Sequence, residues 1–309
     1  MKKTLLITHV DLDGVSPIIL LNLTGIKFEY KNVEIVDLDD TLHELIDTEK
    51  IKEYEQIYIT DLTVPVWAYD YFKENNINVK VFDHHEVHLY GNDYGFATVK
   101  VNLGNHQTCG TELFFEYLKK LYPHINTKKV KQYVDYVTEL DTWHFTSDIP
   151  KELDSLKNTY GTKDYIKTIT RRLKSTKPTF EFTAFEKKFT KLKKAELQRY
   201  METKEEKMLL YEIDGKKCGV LFAEKNKSEL GNYISVNHPE LDLVVMLDAS
   251  SRISYRTNRD DVNVSDFAIK YGGGGHQKAS GSKFDDEDRN KIIETYFKGA
   301  KRLEKEEEN

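Results

Sequence analysis

The sequence predicts a two-domain α/β protein: a mainly parallel sheet flanked by helices, then a smaller C-terminal α/β domain with a mixed sheet. Three observations predict it. Short apolar runs alternate with helix-like segments through the first hundred residues, the pattern of parallel βαβ units. A change of composition near residues 171–207 separates that half from a second set of strand and helix patterns. The length, 309 residues, is more than one core usually organises.

Residues 3–8 form the first expected strand, and residues 15–23 a helix packed on the sheet, with Pro17 in its first turn, where a missing N–H costs nothing. Residues 29–36 read as a second strand, and Asp39 or Asp40 as the cap of a helix through residues 42–46. Residues 56–60 make the third strand, 66–74 a helix stopped by Asn75 and Asn76, and 78–82 the fourth strand. Residues 88–107 read as a loop. Thr108 is expected to cap a helix over 112–121, Thr127 one reaching Leu140, and Gly161 and Thr162 precede one carrying Tyr165, Ile169 and Leu173. A long helix is expected over 186–208.

The stretch 171–207 holds twelve Lys/Arg against six Asp/Glu in a chain whose net charge is −6. It reads as a solvated interdomain helix or as a basic rim that attracts a polyanion through its field. A second domain begins near Tyr211, with a strand over 217–223, a helix capped by Ser228, an antiparallel pair at 241–247 and 252–257, a helix over 264–271, a Gly-rich stretch over 272–281 and a final helix from 286 to about 303. The divisions are residues 1–185, a helical linker over 186–208, 209–303, and an acidic tail over 304–309.

The acidic balance argues against a dedicated duplex binder. Two distant cysteines, Cys109 and Cys218, make neither a disulfide framework nor a thiolate metal site. The first apolar run is too short for a secretory leader and no run approaches a membrane span, so a cytoplasmic location without membrane attachment is expected.

The chemistry sits at strand ends. The first strand runs into His9, Asp11 and Asp13, the third into Asp61, and the fourth into Asp83, His84 and His85; Asp141 follows a helix. Period-two spacing on an extended segment points His9, Asp11 and Asp13 to one side. Carboxylates gathered this way repel one another unless a cation sits among them, and mixed N/O ligation suits Mn²⁺, Fe²⁺ or Zn²⁺ better than Ca²⁺. The full set suffices for two metals sharing a bridging carboxylate, the arrangement that activates water for phosphoryl displacement. In the second half, the four glycines Gly272 to Gly275 read as a flexible turn or as a loop whose backbone N–H groups let a phosphate or nucleotide approach, to which His276 and Arg256 could add contacts. Cys109, Gly110 and Thr111 offer helix N–H groups, read as a plain N-terminus or as a phosphate site. His43, His88, His106, His124, His144 and His238 show no convincing partners.

These motifs, with Asp141-Thr142-Trp143, Ser228-Glu229-Leu230-Gly231-Asn232 and the stretch from Tyr271 to Gly281, resemble the DHH phosphoesterase superfamily and its associated C-terminal domain over nearly the whole chain, most closely the bacterial oligoribonucleases of nano-RNase B type. The resemblance implies an active site in the interdomain cleft. It implies one Mn²⁺ on His9, Asp11 and Asp61, and a second on Asp13, Asp61, His84 and Asp141. His85 would face the scissile phosphate as a catalytic group, Asp83 would orient the histidines, and Arg256, Gly273, Gly274, Gly275 and His276 would bind substrate. It further implies hydrolysis of short single-stranded RNA from the 3′ end to nucleoside monophosphates. It leaves open short DNA, a cyclic or linear dinucleotide phosphodiesterase, a RecJ-like single-strand DNA exonuclease, and a homodimer.

Overall fold

The computed structural model describes residues 3–296. The chain divides into two compact units, the first ending at Thr190 and the second beginning at Lys191.

The first unit is built on five parallel strands: β1 (Lys3–Thr8), β2 (Phe28–Asn32), β3 (Tyr54–Thr60), β4 (Val79–Asp83) and β5 (Ala97–Val99), in the order β2-β1-β3-β4-β5. Alternate side chains leave opposite faces of a strand. Leu6, Tyr58 and Phe82 therefore enter one core, under the helices, while Leu5, Ile7, Ile57, Ile59, Val79 and Val81 enter the other. Helix α1 (Leu12–Thr24) joins the first core, and α2 (Leu38–Asp47) and α3 (Val66–Glu74) cover the second. Helices α4 (Gly110–Leu121), α5 (Lys128–Asp141), α6 (Ile149–Tyr160) and α7 (Thr162–Lys174) complete the first core. Because β1 has β2 on one side and β3 on the other, the strand order reverses at β1. Open α/β sheets bind ligands beyond the carboxyl ends of strands at such a point.

Several expected elements differ. Helix α1 starts earlier than residue 15: Asp11 is its N-cap, its Oδ1 accepting from Gly14 N at 2.8 Å. Pro17 thus lies inside the helix and removes the bond that would end on the Asp13 carbonyl. Thr111 Oγ1 donates to that carbonyl at 2.7 Å instead. Strand β2 stops at Asn32, and a 3-10 turn (Ile35–Asp37) leads into α2, whose N-cap is Asp37; Asp39 and Asp40 lie in its first turn, where acids suit the helix dipole. The loop expected over 88–107 holds a 3-10 segment (Glu86–Tyr94), the edge strand β5 and a small hairpin of β6 (Asn102–Leu103) and β7 (His106–Gln107). Thr108 does not cap α4; its hydroxyl donates to Glu112 Oε2 at 2.7 Å, and Cys109 occupies the cap position. Helix α6 falls where no helix was expected. The cap of α5 is as expected, with Thr127 Oγ1 accepting from Val130 N at 3.2 Å.

Helix α8 (Ala184–Glu206) begins in the first unit, where Thr183 and Glu186 satisfy each other's backbone N–H groups as a capping box. The second unit carries β8 (Leu209–Ile213), β9 (Lys216–Phe222), α9 (Lys227–Asn237), β10 (Leu243–Leu247), β11 (Arg252–Arg256), α10 (Val264–Lys270), β12 (Gly274–Gly275), β13 (Ala279–Lys283) and α11 (Asp286–Tyr296). Its sheet runs β12-β13-β11-β10-β9-β8, with β9 and β10 parallel and the other pairs antiparallel, a mixed sheet as expected. Ser228 lies within the first turn of α9; Asn226 takes the cap position. The expected extension of the last helix to residue 303 and the acidic tail lie outside the described residues. Among those described, no helix is long and apolar enough to cross a membrane.

Among the described residues, the Thr111 hydroxyl is the one side chain that donates to the carbonyl Pro17 frees. Thr111→Val is expected to lower unfolding stability by about 1–3 kcal/mol, the cost of a buried unsatisfied acceptor, with Thr111→Ser close to wild type. Urea denaturation of the metal-free protein checks this.

Candidate metal and phosphoester site

The first unit gathers His9, Asp11, Asp13, Asp61, Asp83, His84, His85 and Asp141 at the carboxyl ends of β1, β3 and β4 and the end of α5. Three overlapping groups place ligand-type atoms within 4.8 Å of one another: His9 with Asp11 and Asp61; Asp13 with His84 and Asp141; and Asp61 with Asp83, His84 and His85.

Asp61 belongs to the first and the third of these groups, and His84 to the second and the third. Asp61 Oδ2 lies 3.5 Å from His9 Nδ1 and its Oδ1 lies 3.4 Å from His84 Nε2. His9 Nδ1 is also 3.1 Å from Asp11 Oδ2, and His84 Nε2 is 3.3 Å from Asp141 Oδ2. The Asp61 backbone has φ 55°, in the left-handed region that an L residue enters at a cost and that Asp tolerates better than most. Such a conformation at a strand end aims the carboxylate at both histidines.

Asp13 differs from the sequence expectation. Residues 9–13 are not one extended segment, because Asp13 lies in the first turn of α1. Its carboxylate turns to the start of α4, accepting from Gly110 N at 2.7 Å and Thr111 N at 2.8 Å. The N–H groups considered for a phosphate are therefore taken by Asp13. Gly110 makes the approach: a Cβ there would lie 2.9 Å from Asp61 Cβ and 3.0 Å from Asp13 Oδ2. Asp13 keeps lone pairs for a further partner.

Asp83 is fully buried and supports rather than faces the cluster. Its Oδ1 accepts from His84 N at 2.8 Å and lies 2.7 Å from His85 Nδ1; its Oδ2 meets His88 Nδ1. Burial alone would raise its pKa, but the two imidazoles hold it well below the usual carboxylate range. The bond to Asp83 raises the pKa of His85. His88, read from sequence as partnerless, is buried between Asp83 and the Tyr69 hydroxyl, 2.9 Å from its Nε2. The 3-10 segment after His85 brings it there, a return that strand and helix periodicity do not reveal. Other histidines also have partners: His106 lies 3.0 Å from Glu112, His238 lies 2.9 Å from Glu205, and His43 stacks on Trp67. Cys109 and Cys218 are free and buried.

The electrostatics favour a cation. Burial, with the Asp13 charge beside it, pushes Asp61 up to about 7 and Asp141 up to about 8. Asp141 is also the last residue of α5, where the helix dipole disfavours an acid. Burial opposes protonation of His9 and His84, yet hydrogen bonds and neighbouring carboxylates raise both to about 10. Asp61 Oδ2 and Asp141 Oδ2 are buried with no hydrogen-bond partner. Orphaned buried oxygens of this kind are costly, and a divalent ion is the partner that this mixed carboxylate and imidazole set fits.

The expected substrate contacts form a separate group in the second unit. Arg256 ends β11, paired with Ala279, and its Nη1 donates to Tyr255 O at 2.9 Å. Gly231 lets α9 lie against the Arg256 stem, since a Cβ there would come within 2.5 Å of Arg256 Cγ. The glycine run is ordered: β12 pairs with Gly281 and Ser280, and His276 N donates to Ala279 O at 2.9 Å. A Cβ on Gly273 would sit 2.0 Å from Gly281 O, whereas one on Gly274 meets nothing within 4 Å. Packing requires the first glycine and not the second.

A parallel sheet that collects acids and imidazoles at its switch point, with a mixed-sheet unit carrying a glycine strand and histidine, defines a DHH-type phosphoesterase. The chain is 31% identical over 300 residues to oligoribonuclease NrnB of Bacillus subtilis, covering 91% of this chain and 73% of that protein. Among solved structures it resembles a pGpG-specific phosphodiesterase, PggH, from Vibrio cholerae (TM-score 0.56, 14% identity, 96% of this chain and 97% of that one) and the exonuclease RecJ bound to manganese (TM-score 0.55, 12% identity, 96% and 90%). These last two likenesses concern the fold. No family profile matches the chain. The chain belongs to the oligoribonuclease NrnB family of DHH phosphoesterases.

Cation binding must displace the protons that Asp61, Asp141, His9 and His84 hold in the metal-free protein. Affinity for Mn²⁺ is therefore expected to rise from pH 6 to pH 9. Isothermal titration in buffers of different ionisation enthalpy should show proton release, greater at the lower pH; a pH-independent affinity would contradict the electrostatic account.

Proposed function

We propose that this protein is a phosphodiesterase that degrades very short single-stranded RNA from the 3′ end to nucleoside monophosphates, with two divalent cations, Mn²⁺ by preference. The observation that carries the reading is Asp61, whose two oxygens reach His9 on one side and His84 on the other while Oδ2 has no hydrogen-bond partner. A carboxylate placed this way suits two cation positions with one bridge. Family membership supports the substrate class, since the relative's name is oligoribonuclease.

In this reading His9, Asp11 and Asp61 hold one cation, and Asp13, Asp61, His84 and Asp141 hold the other. When bound, the cations supply Lewis acidity that neutralises charge building on the phosphoryl oxygens. The chain's own residues do the rest. Asp83, locked by His85 and His88, fixes the proton of His85 on Nδ1 and the direction of its ring. The bond to Asp83 engages Nδ1 and leaves Nε2 of His85 free to meet an oxygen of the scissile phosphate. His85 is the catalytic contact and Asp83 a positioning residue. In the second unit, Arg256 and His276 contact the terminal nucleotide and the Gly273–Gly275 backbone admits its phosphate. Gly274 supports this role, because nothing in the packing demands a glycine there.

Incubation with Mn²⁺ and labelled RNA and DNA from two to twenty-five nucleotides, beside cyclic dinucleotides, tests the substrate class. RNA dinucleotides to pentanucleotides are expected to disappear first, and Asp61→Ala is expected to lower the rate at least a thousandfold. Faster loss of cyclic dinucleotides, or parent activity in Asp61→Ala, would sink the reading.

Gly274→Ala is expected to leave the unfolding midpoint unchanged and raise KM for an RNA dinucleotide several-fold. Gly273→Ala is expected to lower the midpoint. Equal effects of the two on stability would remove the argument for a backbone contact at Gly274.

A further inference from the structure

Arg171 and Lys174, the start of the basic stretch noted in the sequence, continue a row of cations that begins before it. Lys163, Lys167, Arg171 and Lys174 all line one open groove of about 750 Å³ in the first unit, together with Tyr30 and Thr170. The four cations follow one another at roughly one-turn intervals along α7, about 6 Å apart. They flank the buried stripe of Tyr165, Ile166, Ile169 and Leu173, of which Ile166 also lines the groove.

Arg172, on the same helix, is paired with Glu186. Among the described residues, these four have no carboxylate partner, in a chain with more acids than bases. The helix dipole explains Arg171 and Lys174 at the C-terminal end but opposes Lys163, which lies in the first turn. Tyr30, 42% exposed, offers its ring to the groove. The Thr170 hydroxyl is buried and has no hydrogen-bond partner. A linear row of cations beside an exposed aromatic ring is the chemistry that binds a single-stranded nucleic acid without reading its sequence. An enclosed pocket would suit a small ligand better, and this groove is open.

The groove is separate from the acidic cluster. Asn22, which lines it, stands ten residues along α1 from Leu12, about 15 Å at helical rise. The groove and the acidic cluster share no residue and are two distinct places on one unit.

We propose that this groove is a second nucleic-acid site, in which single-stranded RNA lays its phosphates along Lys163, Lys167, Arg171 and Lys174 and stacks a base on Tyr30. The choice of RNA rests on the function proposed above. The site holds RNA too long to fit the catalytic centre whole, and raises its local concentration there.

The test is fluorescence anisotropy of the full chain with a labelled twelve-nucleotide RNA, in EDTA to prevent cleavage, over a series of KCl concentrations. The double variant Lys167→Ala/Arg171→Ala is expected to weaken binding at least tenfold and to reduce the slope of log affinity against log salt by about 1.4, the loss of two phosphate contacts to a single strand. Lys167→Arg is expected to bind as the parent. Tyr30→Ala should weaken binding several-fold without changing the slope. Unchanged binding in the double variant overturns the proposal. So does inorganic triphosphate competing as well as RNA while Tyr30→Ala has no effect, because the groove would then be a plain phosphate site. Cleavage of an RNA dinucleotide is expected to be the same in the parent and the groove variants. If the parent cleaves no RNA but the double variant still loses RNA binding, the proposed function fails and the groove stands. If the dinucleotide is cleaved and the double variant binds RNA as the parent does, the groove fails alone.

Discussion

The first unit depends on how it buries more carboxylates than its hydrogen bonds can satisfy. Asp13, Asp61 and Asp141 converge in low dielectric, where burial and the neighbouring carboxylates raise the pKa of Asp61 and of Asp141 and each unpartnered oxygen is costly. The surrounding architecture is what makes this tolerable. The start of α4 presents two N–H groups to Asp13. Two imidazoles stand beside Asp61, one on each side. What remains uncompensated is one oxygen of Asp61 and one of Asp141, and those oxygens face positions that His9 and His84 also reach.

The same logic separates the three members of the motif after β4. Asp83 is saturated, with both oxygens committed to histidines and the His84 backbone, so its charge is spent on orientation. His84 turns to Asp61 and Asp141, and His85 turns one nitrogen to Asp83 and keeps the other. His88 and Tyr69 close the network from behind. The buried hydrogen bonds of this network fix the direction of the His85 ring.

Much of this was legible in the sequence, and the gaps have physical causes. Strand ends carrying Asp61 and Asp83-His84-His85 declared themselves because apolar runs stop abruptly at polar residues. Asp13 was placed among the right residues for an incomplete reason: period-two spacing assumes an extended segment, whereas Asp11 caps a helix that already contains Asp13. His88 was missed because a 3-10 return has no sequence period. Strand β5 and helix α6 were missed because one is a three-residue edge and the other starts at Ile149-Pro150 with no side-chain cap to mark it. The glycine run read as a loop but is partly a strand, since absent side chains let β12 approach β13 closely.

The central claim is that Asp61 is shared by two cation positions. The most direct measurement is Mn²⁺ binding by titration calorimetry together with electron paramagnetic resonance on the same samples. The account predicts two Mn²⁺ per chain with an exchange-coupled signal, and loss of that coupling in Asp61→Ala but not in Arg256→Ala. A single Mn²⁺, or two that show no coupling in the parent protein, would contradict it.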